Sequence, residues 1–241
     1  MRASFLVLMV AAALLAMSGC VQFHSDVAID GKGGGTATVK MSVATDVLKA
    51  RADMMSMGGA MGMDLPDYDT VTRAYLEKRA AGHGVTINTF DKGEAAGRKT
   101  LACTLSFTDL KGISWVLNDV SGALGGAGLG VAKTPDGNFV LRTKQYNFPA
   151  TPAKTTPPPA PTPEQMQRQS ELAATLMGAI NELDIVVKLT VPGDVVRSNA
   201  PKVEGRTSIW TINAANMMAQ QEVAPEIVFS SKGLALPTAA K

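Results

Sequence analysis

The chain has 241 residues, and its 23 Lys and Arg against 21 Asp and Glu leave a formal net charge of +2 at neutral pH. Such a balance gives no electrostatic reason to expect nucleic acid or a strongly anionic partner. The length suits one sizeable domain or two small ones, and with aromatics at 5 % the core has to come from Val, Ile, Leu, Ala and Met.

Residues 1 to 20 carry one positive charge at Arg2, an apolar run from Phe5 to Leu15, and small residues ending at Gly19-Cys20. This is the layout of a secretory signal peptide, and the run is short of the roughly 20 apolar residues that span a bilayer. Leu14-Leu15-Ala16-Met17-Ser18-Gly19-Cys20 resembles the lipobox of bacterial lipoproteins, with Met17 where Leu is usual. The resemblance implies a diacylglycerol on the Cys20 sulfur, cleavage before Cys20 and acylation of the new amine, for example by palmitate. Two acyl chains suffice for stable anchoring. The expected partner is therefore the membrane, reached through an N-terminal diacylglycerol, and the expected location is the extracytoplasmic face of the bacterial envelope. Val21 replaces the Asp that such lipoproteins use for inner-membrane retention, so the outer membrane is the default where one exists. With Cys20 lipidated, Cys103 is the one cysteine left and no intramolecular disulfide can form.

Ser25 to Val43 alternates as a hairpin about the turn Asp30-Gly31-Lys32-Gly33-Gly34-Gly35, which lacks the Gly-Lys-Ser/Thr ending of a phosphate loop. Thr45 reads as the N-cap of a helix with Leu48, Ala52 and Met55 on one face. Five methionines follow among glycines between Met54 and Met63. Thioethers can bind Cu(I), but no His or Cys lies nearby, so the stretch reads as an apolar flap and no metal is expected. Pro66 with Asp67 or Asp69 opens a helix through Ala81 that Gly82-His83-Gly84 closes, His83 sitting at its negative end.

Val85 to Phe90 and Lys99 to Phe107 predict a second hairpin joined by a polar loop, Asp91 to Arg98, with Cys103 as a small core residue. Thr108 or Asp109 caps a helix carrying Leu110, Ile113, Leu117 and Val120, with Trp115 off that stripe. Gly122 to Gly130 reads as a connection, Phe139 to Asn147 as a strand, and Pro149 to Pro163 as an extended proline-rich segment. Thr162-Pro163-Glu164-Gln165 forms a capping box before a helix with Leu172, Leu176 and Ile180 on one stripe. Strands follow at Asp184 to Val191, Arg206 to Ile212 and Glu226 to Ser230, with a short helix between Asn213 and Gln221.

These elements predict an α+β fold: an antiparallel sheet built from hairpins with helices packed on it. Residues 21–147 form its first part and 164–232 its second, around a proline-rich excursion at 148–163 and before a disordered tail at 233–241. Asp26 to Gly31, Thr36 to Val39, Val191 to Val195, Asn199 and Gly205 to Trp210 together resemble the LppM-type domain of bacterial lipoproteins. That resemblance implies the same architecture and envelope lipid binding; the methionine stretch and the long proline segment depart from it, as does the lack of a C-terminal transmembrane helix.

No nucleophile, base and orienting group can be assembled from these residues, so neither an enzyme nor a cofactor is expected. The leading expectation is a non-catalytic envelope module that binds a lipid or other apolar ligand between sheet and helices, with Trp115, Trp210, Met55, Met57 and Met61 as candidate contacts. The alternative is an assembly scaffold that binds another envelope protein through an exposed apolar patch.

Overall fold

The computed structural model describes residues 20–56, 68–115, 129–143, 162–215, 225–234 and 236. The first hairpin pairs β1 (Val21–Ile29) with β2 (Gly35–Ala44), and helix α1 (Thr45–Ser56) follows directly. Asp30 closes the turn between the strands: its carboxylate accepts hydrogen bonds from the Lys32 and Gly34 amides at 2.7 and 3.1 Å. Helix α2 (Arg73–Ala80) starts later than the Pro66 signal suggested, because its cap is Thr72, whose hydroxyl accepts from the Tyr75 amide.

Strands β3 (Val85–Ala95) and β4 (Arg98–Phe107) form the second hairpin. The expected loop from Asp91 to Arg98 is corrected: Asp91 to Ala95 continue the strand, and only Ala96 and Gly97 turn, at φ 50° and 70°. Both residues are left-handed, as a two-residue turn matched to the sheet twist requires. Asp91 to Ala95 are exposed on both faces, so no alternation marked them as strand.

Helix α3 (Leu110–Trp115) opens at Asp109, whose carboxylate accepts from the Lys111 and Gly112 amides. Strand β5 (Leu129–Lys133) begins inside what read as a glycine-rich connection and pairs with β6 (Phe139–Thr143). Helix α4 (Pro163–Asn181) has the expected capping box: Gln165 Oε1 accepts from the Thr162 amide at 2.8 Å, and Thr162 Oγ1 accepts from the Gln165 amide at 3.2 Å. Strands β7 (Leu183–Thr190), β8 (Val195–Ser198), β9 (Lys202–Glu204), β10 (Thr207–Ile212) and β11 (Glu226–Phe229) complete the described elements.

The architecture is α+β, with its strands in two sheets. The larger runs β3-β4-β2-β1-β7-β10-β9 and the smaller β5-β6-β11-β8. Every pairing is antiparallel except β1 with β7, which run parallel from Val21 beside Leu183 to Ala28 beside Thr190. A parallel neighbour needs a long crossover, and the chain between β2 and β7 supplies it.

On β1 the odd-numbered residues are buried and the even-numbered ones face outward. The inner face of the large sheet, the small sheet, α2 and Trp115 share one apolar cluster, drawing Val27, Val39 and Leu105 from early in the chain and Leu189, Ile227 and Phe229 from late. Leu236 is buried in this cluster and Leu234 packs against it, so two leucines of the stretch read as a loose tail from residue 233 have apolar surface to cover, while residues 237–241 lie outside the described residues. A second, smaller cluster lies at one end of the sheet, where Val21, Val43 and Leu183 meet Val47 and Ala50 of α1 and Leu176 and Ala179 of α4. On α1 the buried face is therefore Val47 and Ala50, not the expected row through Ala52, which is exposed. The Gly122 loop, the proline-rich segment up to Pro161 and most of the helix expected after Asn213 lie outside the described residues.

Candidate functional site around Cys20

Three chain segments converge on Cys20. It immediately precedes β1, between the end of β2 and the start of β7, and its carbonyl accepts from the Ala44 amide at 2.8 Å. Helix α1 departs from this corner and α4 arrives at it. The Thr45 hydroxyl does not cap α1; it donates to the Gly97 carbonyl at 2.9 Å and ties the helix to the β3–β4 turn. Asp46 instead accepts from the Val47 amide, and Arg98 donates to the Ser42 hydroxyl at 2.8 Å.

The Cys20 thiol is partly exposed and donates to Glu182 at 3.0 Å. That hydrogen bond, then desolvation and the Glu182 charge, push the thiol up to about 11, so a free sulfur here stays protonated at neutral pH. Cys103 is raised as far, but by burial. It is buried in the core, as expected, and burial pushes its thiol up to about 11, which makes it inert.

Around this corner several apolar side chains are only half covered. Met41, Leu48, Met54, Leu172 and Ile185 ring the cluster under the α1/α4 pair. At its rim Asp53 accepts from Lys49 of the same helix and from Arg168 of α4, both at 3.3 Å; these are exposed pairs of small energetic weight.

The sequence-derived ligand residues do not come together here. Trp210 is 2 % exposed and donates from Nε1 to Asn199 at 3.2 Å; Trp115 is 4 % exposed and stacks on His83 at 6.1 Å between ring centroids. Both tryptophans belong to the central core. Met55 lies on α1, its side chain outside the described residues, as are Met57 and Met61. Among the described residues no cluster of three or more His, Cys, Asp and Glu could hold a metal ion, and no helix is long and apolar enough to cross a membrane.

A second surface had no counterpart in the sequence reading. The outward face of the large sheet carries hydroxyls in register: Thr86, Ser106 and Thr36 continue through Ala28 to Thr190 and Thr207. The adjacent row runs Thr89, Thr104, Thr38, Asp26 and Lys188. Hydroxyls meet across strands, Thr89 with Thr104 at 2.6 Å and Thr190 with Thr207 at 2.8 Å, and His24 meets Asp184 at 3.1 Å. The signal was present in Thr36-Ala37-Thr38, where threonine fills successive outward positions.

No protein-family model matches the chain, and no curated protein matches it by sequence. Among solved structures it is similar to the folded domain of Mycobacterium tuberculosis LppM determined by NMR, at 11 % identity and a TM-score of 0.44, covering 88 % of this chain and 91 % of that one.

Proposed function

We propose that the protein is a lipid-anchored, non-catalytic module of the bacterial cell envelope, tethered through Cys20, that binds a lipid or other apolar ligand beneath the α1/α4 pair. The position of Cys20 carries this reading. The residue that ends the lipobox-like segment is the one partly exposed cysteine, and strand β1 begins at the next residue. The ring of half-covered methionine and leucine around the same corner supports the ligand, because flexible thioethers adapt to an acyl chain.

The full chain produced in a bacterium should fractionate with membranes. Its intact mass should begin at Cys20 and include a diacylglyceryl group, and Cys20→Ala should leave the leader uncut. A membrane-extracted protein retaining residues 1–19 would refute the anchor. Native mass spectrometry of the domain from Val21, purified without detergent, should show a retained lipid; an apo mass from several hosts removes the ligand and leaves the anchor standing.

A second reading, an assembly scaffold, draws on the outward sheet face, whose ranked hydroxyls and Asp26–Lys188 row suit a polar protein partner. It predicts that Thr38→Arg with Thr104→Arg abolishes partner capture while leaving lipid retention intact.

A further inference from the structure

The large sheet ends in two edge strands, β3 and β9, and β3 is open over only part of its length. Its first half is closed. Helix α2 lies beside it, the Arg73 guanidinium donates to the Ile87 carbonyl at 3.0 Å, and the register slips at a bulge between Ile87 and Thr89. Bulges and covering side chains keep a strand edge from recruiting another strand. From Asp91 to Ala95 neither is present among the described residues: all five residues are exposed, and among those residues their backbone pairs with β4 alone.

The open stretch reads Asp91-Lys92-Gly93-Glu94-Ala95, and its charges select one way of pairing with itself. With two such strands antiparallel and Gly93 opposite Gly93, Lys92 lies across from the second copy's Glu94, and Glu94 across from the second copy's Lys92. Centring the pair on Lys92 instead sets Lys against Lys, and centring it on Asp91 sets Asp against Asp. Opposite charges facing each other across a ladder stabilise it and like charges destabilise it, so the first register wins. Lys92 has a proton to give: its ammonium points to the Asp69 and Val71 carbonyls at 3.4 and 3.3 Å, which leaves one of its three N–H groups. The same register sets the Ala96-Gly97 turn of each copy opposite Phe90 and Thr89 of the other, so pairing stops where the bulge closes the edge. We infer that the Asp91–Ala95 edge of β3 pairs with the same edge of a second copy of this chain, joining two large sheets through a two-fold contact. This depends on neither the anchor nor the ligand proposed above. Five residues of strand bury less than the ~1,000 Å² of a stable interface, so the pair is weak and has to be trapped.

The test traps it by mild oxidation of the full chain. A Cβ at Gly93 would meet only the Thr100 hydroxyl, at 3.5 Å, so Gly93→Cys fits the strand. Directly opposed residues of an antiparallel ladder have Cα atoms about 4.5–5.5 Å apart, within disulfide range. The two copies of Thr89 would instead stand eight residues apart along the strands, about 27 Å. Gly93→Cys should therefore give a disulfide-linked dimer on a non-reducing gel, with peptide mass placing the bond between the two introduced cysteines, while Thr89→Cys and the unaltered chain give none. Adding Lys92→Glu or Glu94→Lys to Gly93→Cys should each lower the yield about fourfold or more, since two attractive pairs become two repulsive ones. Producing these two variants together under different tags should restore the bond, and only between unlike chains. Gly93→Cys no better linked than Thr89→Cys would overturn the inference, as would charge variants that link equally well alone and together, or a mixed pair that does not form.

Discussion

Asn199, between β8 and β9, fastens the two sheets to each other through one side-chain oxygen. Its Oδ1 accepts from the Trp210 indole on β10 at 3.2 Å and from the Glu226 amide on β11 at 2.9 Å, while its own amide donates to the Glu226 carbonyl at 3.1 Å. Asn199→Ala keeps that backbone bond and strips both donors of their acceptor. The indole N–H belongs to a residue 2 % exposed, and leaving a buried donor unpaired costs about 1–3 kcal/mol. The Glu226 amide bond is exposed, so water replaces the lost oxygen and the loss is nearer 0.5–1 kcal/mol. The expected destabilisation is about 1.5–4 kcal/mol, read by urea unfolding of the domain from Val21 as a lowered midpoint at constant slope. A cycle with Trp210→Phe separates the bond from its surroundings, because phenylalanine has no indole donor to strand. The two substitutions should couple by about 1–2 kcal/mol. A loss below about 0.5 kcal/mol for Asn199→Ala, or strict additivity in the cycle, would refute this account of the join between the sheets.

Gly35→Ala should destabilise the domain by several kcal/mol in the same urea assay, because a Cβ there would lie 1.9 Å from the Ala28 carbonyl oxygen and 2.8 Å from the Phe107 ring; a loss within measurement error would show that the hairpin can shift to accept it. The Ser208 hydroxyl is wholly buried and makes no hydrogen bond among the described residues, so Ser208→Ala should be neutral or raise stability by up to about 1 kcal/mol, whereas a clear loss would mean the hydroxyl has a partner such as an internal water. Burial pushes the Cys103 thiol up to about 11, so the folded state keeps a proton that the unfolded chain releases near 9. Its contribution is whole below the unfolded pKa and is lost as pH rises from about 9 to about 11, by up to roughly 2–3 kcal/mol. Urea midpoints across that range should therefore fall more steeply for the native protein than for Cys103→Ala, and parallel curves would exclude this source of alkaline sensitivity.

Much of the large sheet was legible because its inner strands alternate. Val27 and Ile29, then Ala37 and Val39, mark buried positions two apart, and the turn between them advertises itself in glycine. The start of α4 was legible for a similarly local reason, since Thr162 and Gln165 satisfy each other's amides within one turn. What escaped was non-local or at an edge. The Asp91 to Ala95 strand faces water on both sides and carries no period, while β8 and β9 are too short to show one. The parallel pairing of β1 with β7 joins Val21 to Leu183, and no window of sequence contains both. The candidate site divided in the same way: Cys20 was singled out by the residues before it, but Glu182 beside its sulfur and the ranked threonines exist only once distant segments have met. Trp115 stands off the helical stripe in sequence yet packs in the core, stacked on His83, because the surface it meets belongs to another segment of the chain.

Strand β1 stands inside the large sheet, hydrogen-bonded on one side to β2 and on the other to β7. Any tension entering the domain at residue 20 and directed along that strand is thus shared by two ladders at once and loads their bonds in shear. Peeling one bond at a time would need the pull to enter at an edge such as β3 or β9. A protein held at this point and tugged by its surroundings would keep its fold until both ladders yielded together.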